Sequence, residues 1–133
     1  MKRFALVAAI FGLLVGGAGQ SLAASLVAQV DVASQTMTVT KQGRVIHVWK
    51  VSTARKGYIT PRGSWRPTRM HKMWHSRKYD NAPMPWAVFF APGGVAFHQG
   101  NLDYPSGGCI RLEEDDAKFF FNYLQAGDKV QVK

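Results

Sequence analysis

"FHQGNLDYPSGGCIRLEEDDAKFFFNYLQAGDKVQV", residues 97–132, runs through an apolar strand end, a glycine-rich turn, one helix and a closing strand. The helix is signalled by four acids from Glu113 to Asp116, placed where a helix N-terminus favours negative charge. Phe120, Tyr123 and Leu124 are expected on one face, and Gly127 is expected to stop the helix. "KVQV" then has strand composition.

Upstream of this stretch the chain reads as β-structure. "SLVAQVDV" from Ser25 carries apolar alternation, and "TMTVT" puts Met37 and Val39 on one face. A turn at Gly43 leads to "VIHVWKVS", so the domain opens as a β-meander. Residues 55–67, "RKGYITPRGSWRP", are punctuated by Gly and Pro and read as loop. Residues 68–85 are polar and aromatic with no clear period. "WAVFFA" (86–91) and "GGVAFHQG" (93–100) read as two strands about the Pro92-Gly93-Gly94 turn. The expected fold is mainly β, a single sandwich or barrel domain with one main helix after the cysteine.

The 133 residues suffice for one domain with a single core. Lys2 and Arg3, an apolar run from Phe4 to about Val15, and the small-x-small triplet Ser21-Leu22-Ala23 read as an export signal over residues 1–24. The run is short for a membrane span, so no stable membrane insertion is expected once the signal is removed. The mature domain, residues 25–133, is expected in the periplasm or cell envelope. Seventeen basic against eight acidic residues give a net charge of +9; without Lys2 and Arg3 the balance is 15 against 8, or +7. Such a surface draws polyanions. The basic residues are scattered, and nucleic acid is not the expected target of an exported protein, so anionic cell-wall polymer or a membrane surface fits better.

The single cysteine, Cys109, cannot form an intrachain disulfide. A lone thiol in an exported protein is either buried or kept for chemistry. Nucleophilic cysteines need a base, and His98 lies ten residues upstream across a segment containing Gly100, Pro105, Gly107 and Gly108. That segment can fold back on itself. Its glycines let backbone N–H groups converge, and removing one such donor costs about 3 kcal/mol of transition-state stabilisation in known oxyanion holes. The helix that follows is expected to favour the thiolate. His71 and His75 have helical metal-pair spacing without a third ligand, so neither a metal nor a cofactor is expected. His47 is expected to face solvent from its strand.

Residues 97–117 resemble the L,D-transpeptidase (YkuD-like) catalytic domain, whose signature is a His-Gly pair, a loop, and Ser/Thr-x-Gly-Cys-apolar-Arg with Asp-Ala soon after. His98, Ser106, Gly108, Cys109, Ile110, Arg111, Asp116 and Ala117 match that pattern. Upstream, Val51, Ser52, Thr53, Thr60, Pro61 and Gly63 are similar to the family's Val-Ser-Thr…Thr-Pro-x-Gly segment. Two departures stand out. Gln99 replaces the Gly after the His, and Gly107 occupies a place often held by a second His.

The resemblance implies an enzyme acting on peptidoglycan stem peptides through a thioester, forming unconventional cross-links in cell-wall remodelling. Cys109 would be the nucleophile and His98 the general base, oriented by the Gln99 carbonyl. The backbone N–H groups of Gly108 and Cys109 would form the oxyanion hole. Arg111 would either fork onto a substrate carboxylate or pair with Asp116 or another acid to fix the turn. Ser106 would brace the loop, Gly107 would shape it, and Tyr79, Trp86 and Phe97 are candidates for the groove wall or for core packing. Two alternatives stay open: an L,D-carboxypeptidase or hydrolase using the same site, motivated by the short loop before Ser106, and an inactive cationic wall-binding module.

Overall fold

A computed structural model describes residues 26–125 and 127–133; the expected export signal lies outside the described residues. The meander forms as expected. β1 (Leu26–Asp31), β2 (Thr36–Lys41) and β3 (Arg44–Lys50) are antiparallel neighbours, and β9 (Lys129–Val132) returns to lie parallel to β1. The other edge of this sheet is β4 (Gly63–Trp65), paired antiparallel with β9. A second sheet has the order β5 (Arg69–His75), β6 (Pro83–Ala91), β7 (Val95–Gln99), β8 (Ile110–Leu112). Its last pair, β7–β8, is parallel. Both sheets are open, so of the sandwich and the barrel it is the sandwich that forms.

One core cluster draws on both sheets and on the one helix among the described residues, α1 (Glu114–Tyr123). Ala28, Val30, Met37 and Val39 enter it from the first sheet, and Val88, Phe90, Phe97 and Ile110 from the second. β6 alternates between two apolar surroundings: Val88 and Phe90 face this core, while Met84, Ala87 and Phe89 form a smaller cluster with Ala96. That is why "WAVFFA" is apolar throughout; both of its faces are covered.

Two segments read as irregular are strands. Residues 63–65 are β4, and residues 69–75 are β5 in a hairpin with β6. β5 shows no hydrophobic alternation because arginine and aromatic stacking covers it: the Arg69 guanidinium lies 3.8 Å from the Phe89 ring centroid and 4.6 Å from that of Trp74. His47 does not face open solvent. It is half-buried, stacked at 5.0 Å on Trp49 and edge-on to Phe119 at 4.5 Å.

The helix ends earlier than the sequence led us to expect. Leu124 is already extended, its N–H closing on the Phe120 carbonyl, and Gly127 (φ 93°) serves the turn into β9 instead. The cause is Asp128, whose buried carboxylate accepts the Gln125 N–H at 2.7 Å and the Leu26 N–H at 3.1 Å, drawing the chain toward β1. Ala117 and Phe120 are the buried face, whereas Tyr123 is exposed and stacks on Phe119 at 4.4 Å. Phe120→Ala is expected to destabilise by about 3–5 kcal/mol and Tyr123→Ala by less than about 1 kcal/mol, read as urea midpoints.

Candidate active site

The register of β7 and β8 pairs Phe97 with Ile110, His98 with Arg111 and Gln99 with Leu112. Phe97, Ile110 and Leu112 are fully buried in the main core. Strand alternation then sends His98 and Arg111 to the opposite face. Cys109, one residue before β8, joins them there and packs against the Met84, Ala87, Phe89 and Ala96 cluster. A cavity of about 920 Å³ opens over this face, lined among others by His98, Gln99, Gly107, Cys109, Arg111 and Tyr79.

The turn carrying the thiol is held from both sides. Ser106 Oγ donates to the Cys109 carbonyl at 2.6 Å and accepts the Gly108 N–H at 3.0 Å. Thr60 Oγ1 donates to the Gly108 carbonyl at 2.9 Å and accepts the Ala54 N–H at 3.0 Å. Backbone bonds from Ser52 to Arg111 and from Thr53 and Arg55 to Ser106 tie residues 52–55 along the same turn. Gly108 has φ 147°, and a Cβ there would lie 3.1 Å from the Ile59 carbonyl oxygen. At Gly107 a Cβ would stand 2.3 Å from the Tyr79 hydroxyl.

His98 is buried, with Nδ1 2.8 Å from the Gln99 carbonyl. A carbonyl only accepts, so Nδ1 carries the proton and Nε2 the lone pair. Gln99 thus orients the imidazole through its backbone despite replacing glycine. Burial, assisted by the Arg111 charge, holds the imidazole pKa below its ordinary value, against the Gln99 hydrogen bond. Burial pushes the Cys109 thiol up, against the Ala96 backbone and the charges of Arg111 and Lys78. Both shifts favour the neutral forms, a thiol and an imidazole. The thiol's own hydrogen bond runs to the Gly94 carbonyl at 3.8 Å and not to the ring.

Several expectations need correction. The Gly108 N–H is taken by Ser106, so the expected oxyanion pair of Gly108 and Cys109 is reduced to the Cys109 N–H; within the turn, the Gly107 N–H is the other amide with no internal acceptor among the described residues. Arg111 does not pair with Asp116: its Nη1 donates to the Tyr104 carbonyl at 2.6 Å, and the one ion pair among the described residues is Lys118–Glu114 at 3.1 Å. Trp86 does not line the cavity but packs edge-on to Phe121 at 5.3 Å beside the main core, and Phe97 lies inside that core. The helix does not reach the thiol, since β8 carries the chain about 10 Å before α1 begins. His71 and His75 sit on β5, where four residues span about 13 Å and the helical metal-pair geometry is lost.

The family model for the L,D-transpeptidase catalytic domain matches residues 25–132. The chain belongs to that family. No curated protein matches it. Among solved structures, an L,D-transpeptidase from Mycobacterium smegmatis superposes with a TM-score of 0.75 at 23% identity, covering 83% of this chain and 59% of the other. One from Stackebrandtia nassauensis gives 0.75 at 29% identity, covering 82% and 55%. L,D-transpeptidase 3 from Mycobacterium tuberculosis, solved with a faropenem-derived adduct, gives 0.72 at 23% identity, covering 82% and 60%. The chain therefore spans less than two thirds of the length of these relatives.

For this member of the L,D-transpeptidase family, the sequence singled out Cys109 and His98 as candidates, which the structure brings to one cavity, but not what surrounds the sulfur. The Gly94 carbonyl and Ala96 amide meet it from the start of β7, and backbone groups leave no residue-type signal. The Thr60 brace was visible only as part of a resemblance. Gly108→Ala is expected to cost about 1–3 kcal/mol of stability, because both the backbone conformation and the fixed Ile59 carbonyl oppose it. Gly107→Ala meets only the tip of an exposed Tyr79 and is expected to stay within about 1 kcal/mol of the parent, as thermal melts would report. Alkylation of Cys109 by iodoacetamide is expected to be slower than for a free thiol at neutral pH. Its rate should climb with pH past the free-thiol value of about 8.5, because burial retains the proton to higher pH.

Proposed function

We propose that this protein is an exported cysteine acyltransferase of the cell envelope, acting on peptidoglycan stem peptides through a thioester at Cys109. The observation that carries the reading is the parallel β7–β8 pair, which sets a half-buried thiol and an Nδ1-protonated imidazole on one wall of one cavity.

From the neutral pair, the Cys109 side chain turns from Gly94 toward His98, and Nε2 takes its proton as sulfur attacks the donor carbonyl. The oxyanion is met by the Cys109 and Gly107 amides, aimed by a turn that Ser106 and Thr60 hold fixed. Collapse expels the amine of the terminal residue, protonated by His98. The thioester remains until an acceptor amine, deprotonated by the same Nε2, attacks it and releases the thiol. A lowered imidazole pKa suits both directions: the ring is free to accept at neutral pH and returns its proton readily.

Incubating the purified protein with a carbapenem and measuring intact mass tests the reading. One covalent adduct is expected, absent in Cys109→Ala and formed roughly 10²–10⁴-fold more slowly in His98→Gln. Its rate should hold down to about pH 6.5 and fall only below that, because the folded imidazole protonates below the ordinary value. An adduct that persists in Cys109→Ala would refute the assignment. Digestion products of purified muropeptides then separate transfer from hydrolysis: cross-linked dimers report transfer, and shortened stems alone report hydrolysis.

A further inference from the structure

The cavity over Cys109 is one-sided in charge. Arg55, Arg69, Arg77, Lys78 and Arg111 stand on its wall, and no aspartate or glutamate does. None of the five is in an ion pair, since among the described residues only Lys118 and Glu114 make one. Exposed basic residues on a protein surface are ordinary, but five converging on one concavity without an acid are not a solubility pattern.

Their placement is also specific. Arg55 donates its backbone N–H to the Ser106 carbonyl at 2.8 Å, so it sits beside the thiol turn. Arg77 and Lys78 belong to the β5–β6 connection and Arg69 to β5, on the hairpin side of the cavity. The cations therefore flank Cys109 on two sides. Three of the four guanidinium groups rest on aromatic faces: Arg55 at 3.9 Å from the Tyr58 centroid, Arg69 at 3.8 Å from that of Phe89, and Arg77 at 5.3 Å from that of Trp74; Lys78 Nζ lies 5.9 Å from the Tyr79 centroid. A stacked guanidinium keeps its in-plane N–H edge for a planar anion, and that edge matches a carboxylate.

We propose that this cleft selects its acyl donor by free carboxylates on both sides of the reacting carbonyl, so that a stem peptide with ionised side carboxylates is taken in preference to the same stem amidated. This rests on the acyl-transfer reading above. Contacts remote from the reacting bond are made equally in ground and transition states, so the preference belongs in KM more than in kcat.

The test compares two synthetic stem tetrapeptides, one with its side carboxylates free and one with them as primary amides, using the intact protein and following thioester formation by mass spectrometry. The free-carboxylate donor is expected to show a kcat/KM about tenfold higher, carried mainly by KM. The ratio should shrink toward one at about 0.5 M salt, a measurement that needs no variant. Arg77→Gln should shrink it at low salt and Arg77→Lys should retain most of it. Equal rates for the two donors in the wild type, or a preference for the amide, overturn the inference and leave acyl transfer standing. No thioester from either donor overturns the acyl-transfer reading and this inference with it.

Discussion

The parallel pairing of β7 with β8 is the constraint on which the site depends. Phe97 and Ile110 sit opposite one another and are both fully buried, so the register is held by the core and not by the site. In a strand, a slip of one residue exchanges the two faces. Such a slip would push Phe97 or Ile110 into the cavity and drive His98 or Cys109 into the core. Each fully buried large apolar side chain contributes about 1.5–3 kcal/mol relative to exposure, which sets the scale of the penalty for misregister. The chemistry is thus positioned by residues that take no part in it, and the glycine-rich turn needs only to deliver the sulfur beside Ala96.

Burial acts on thiol and imidazole in one direction, toward neutrality, and the nearby cations then divide the two. Arg111 favours a thiolate and opposes an imidazolium. A stable thiolate–imidazolium pair is therefore disfavoured at rest, mostly through desolvation. In the acyl transfer proposed above, the negative charge would move to the carbonyl oxygen, where amides and cations meet it, and His98 would hold a proton that its surroundings press it to release. On that proposal, the same burial that favours the neutral thiol would make the protonated imidazole a good acid for the leaving amine.

How much of this was legible from the residues follows from which forces leave a pattern. The meander was readable because one face is apolar with period two, as Met37 and Val39 show by being fully buried. Cys109 and His98 stood out as candidates because cysteine and histidine are rare types at a glycine-rich turn, and the structure places both on one cavity wall. β5 was not, because its cover comes from guanidinium–aromatic stacking, which carries no hydrophobic period. The helix end was misplaced because Gly127 is a strong local signal, whereas the deciding contact joins Asp128 to Leu26, 102 residues away. Arg111 likewise looked like a partner for a carboxylate, yet it takes a backbone carbonyl. Gly100 makes that possible: a Cβ there would lie 2.9 Å from Arg111 Cδ, so only glycine lets the arginine lie across the strand to Tyr104.

At Gly107 the cleft is bounded by a neighbouring loop and not by a side chain of the turn itself. The place often held by a second histidine has no side chain here, and the Tyr79 hydroxyl occupies the space where its first carbon would stand. The backbone of Tyr79 belongs to a compact turn. Ser76 Oγ accepts the N–H groups of Lys78 and Tyr79 at 3.2 and 3.0 Å, and its backbone bonds to Asn81 and Ala82 close the loop. Asp80 and Asn81 adopt the left-handed conformation that these two residue types tolerate best. These bonds fix the backbone from which Tyr79 reaches the thiol turn, while its exposed side chain is left able to shift. The wall of the cleft beside Gly107 is therefore set by the β5–β6 connection, and that connection also carries Arg77 and Lys78. Shape and charge at the site thus come from one element, so a change in the length of residues 76–82 would alter both together.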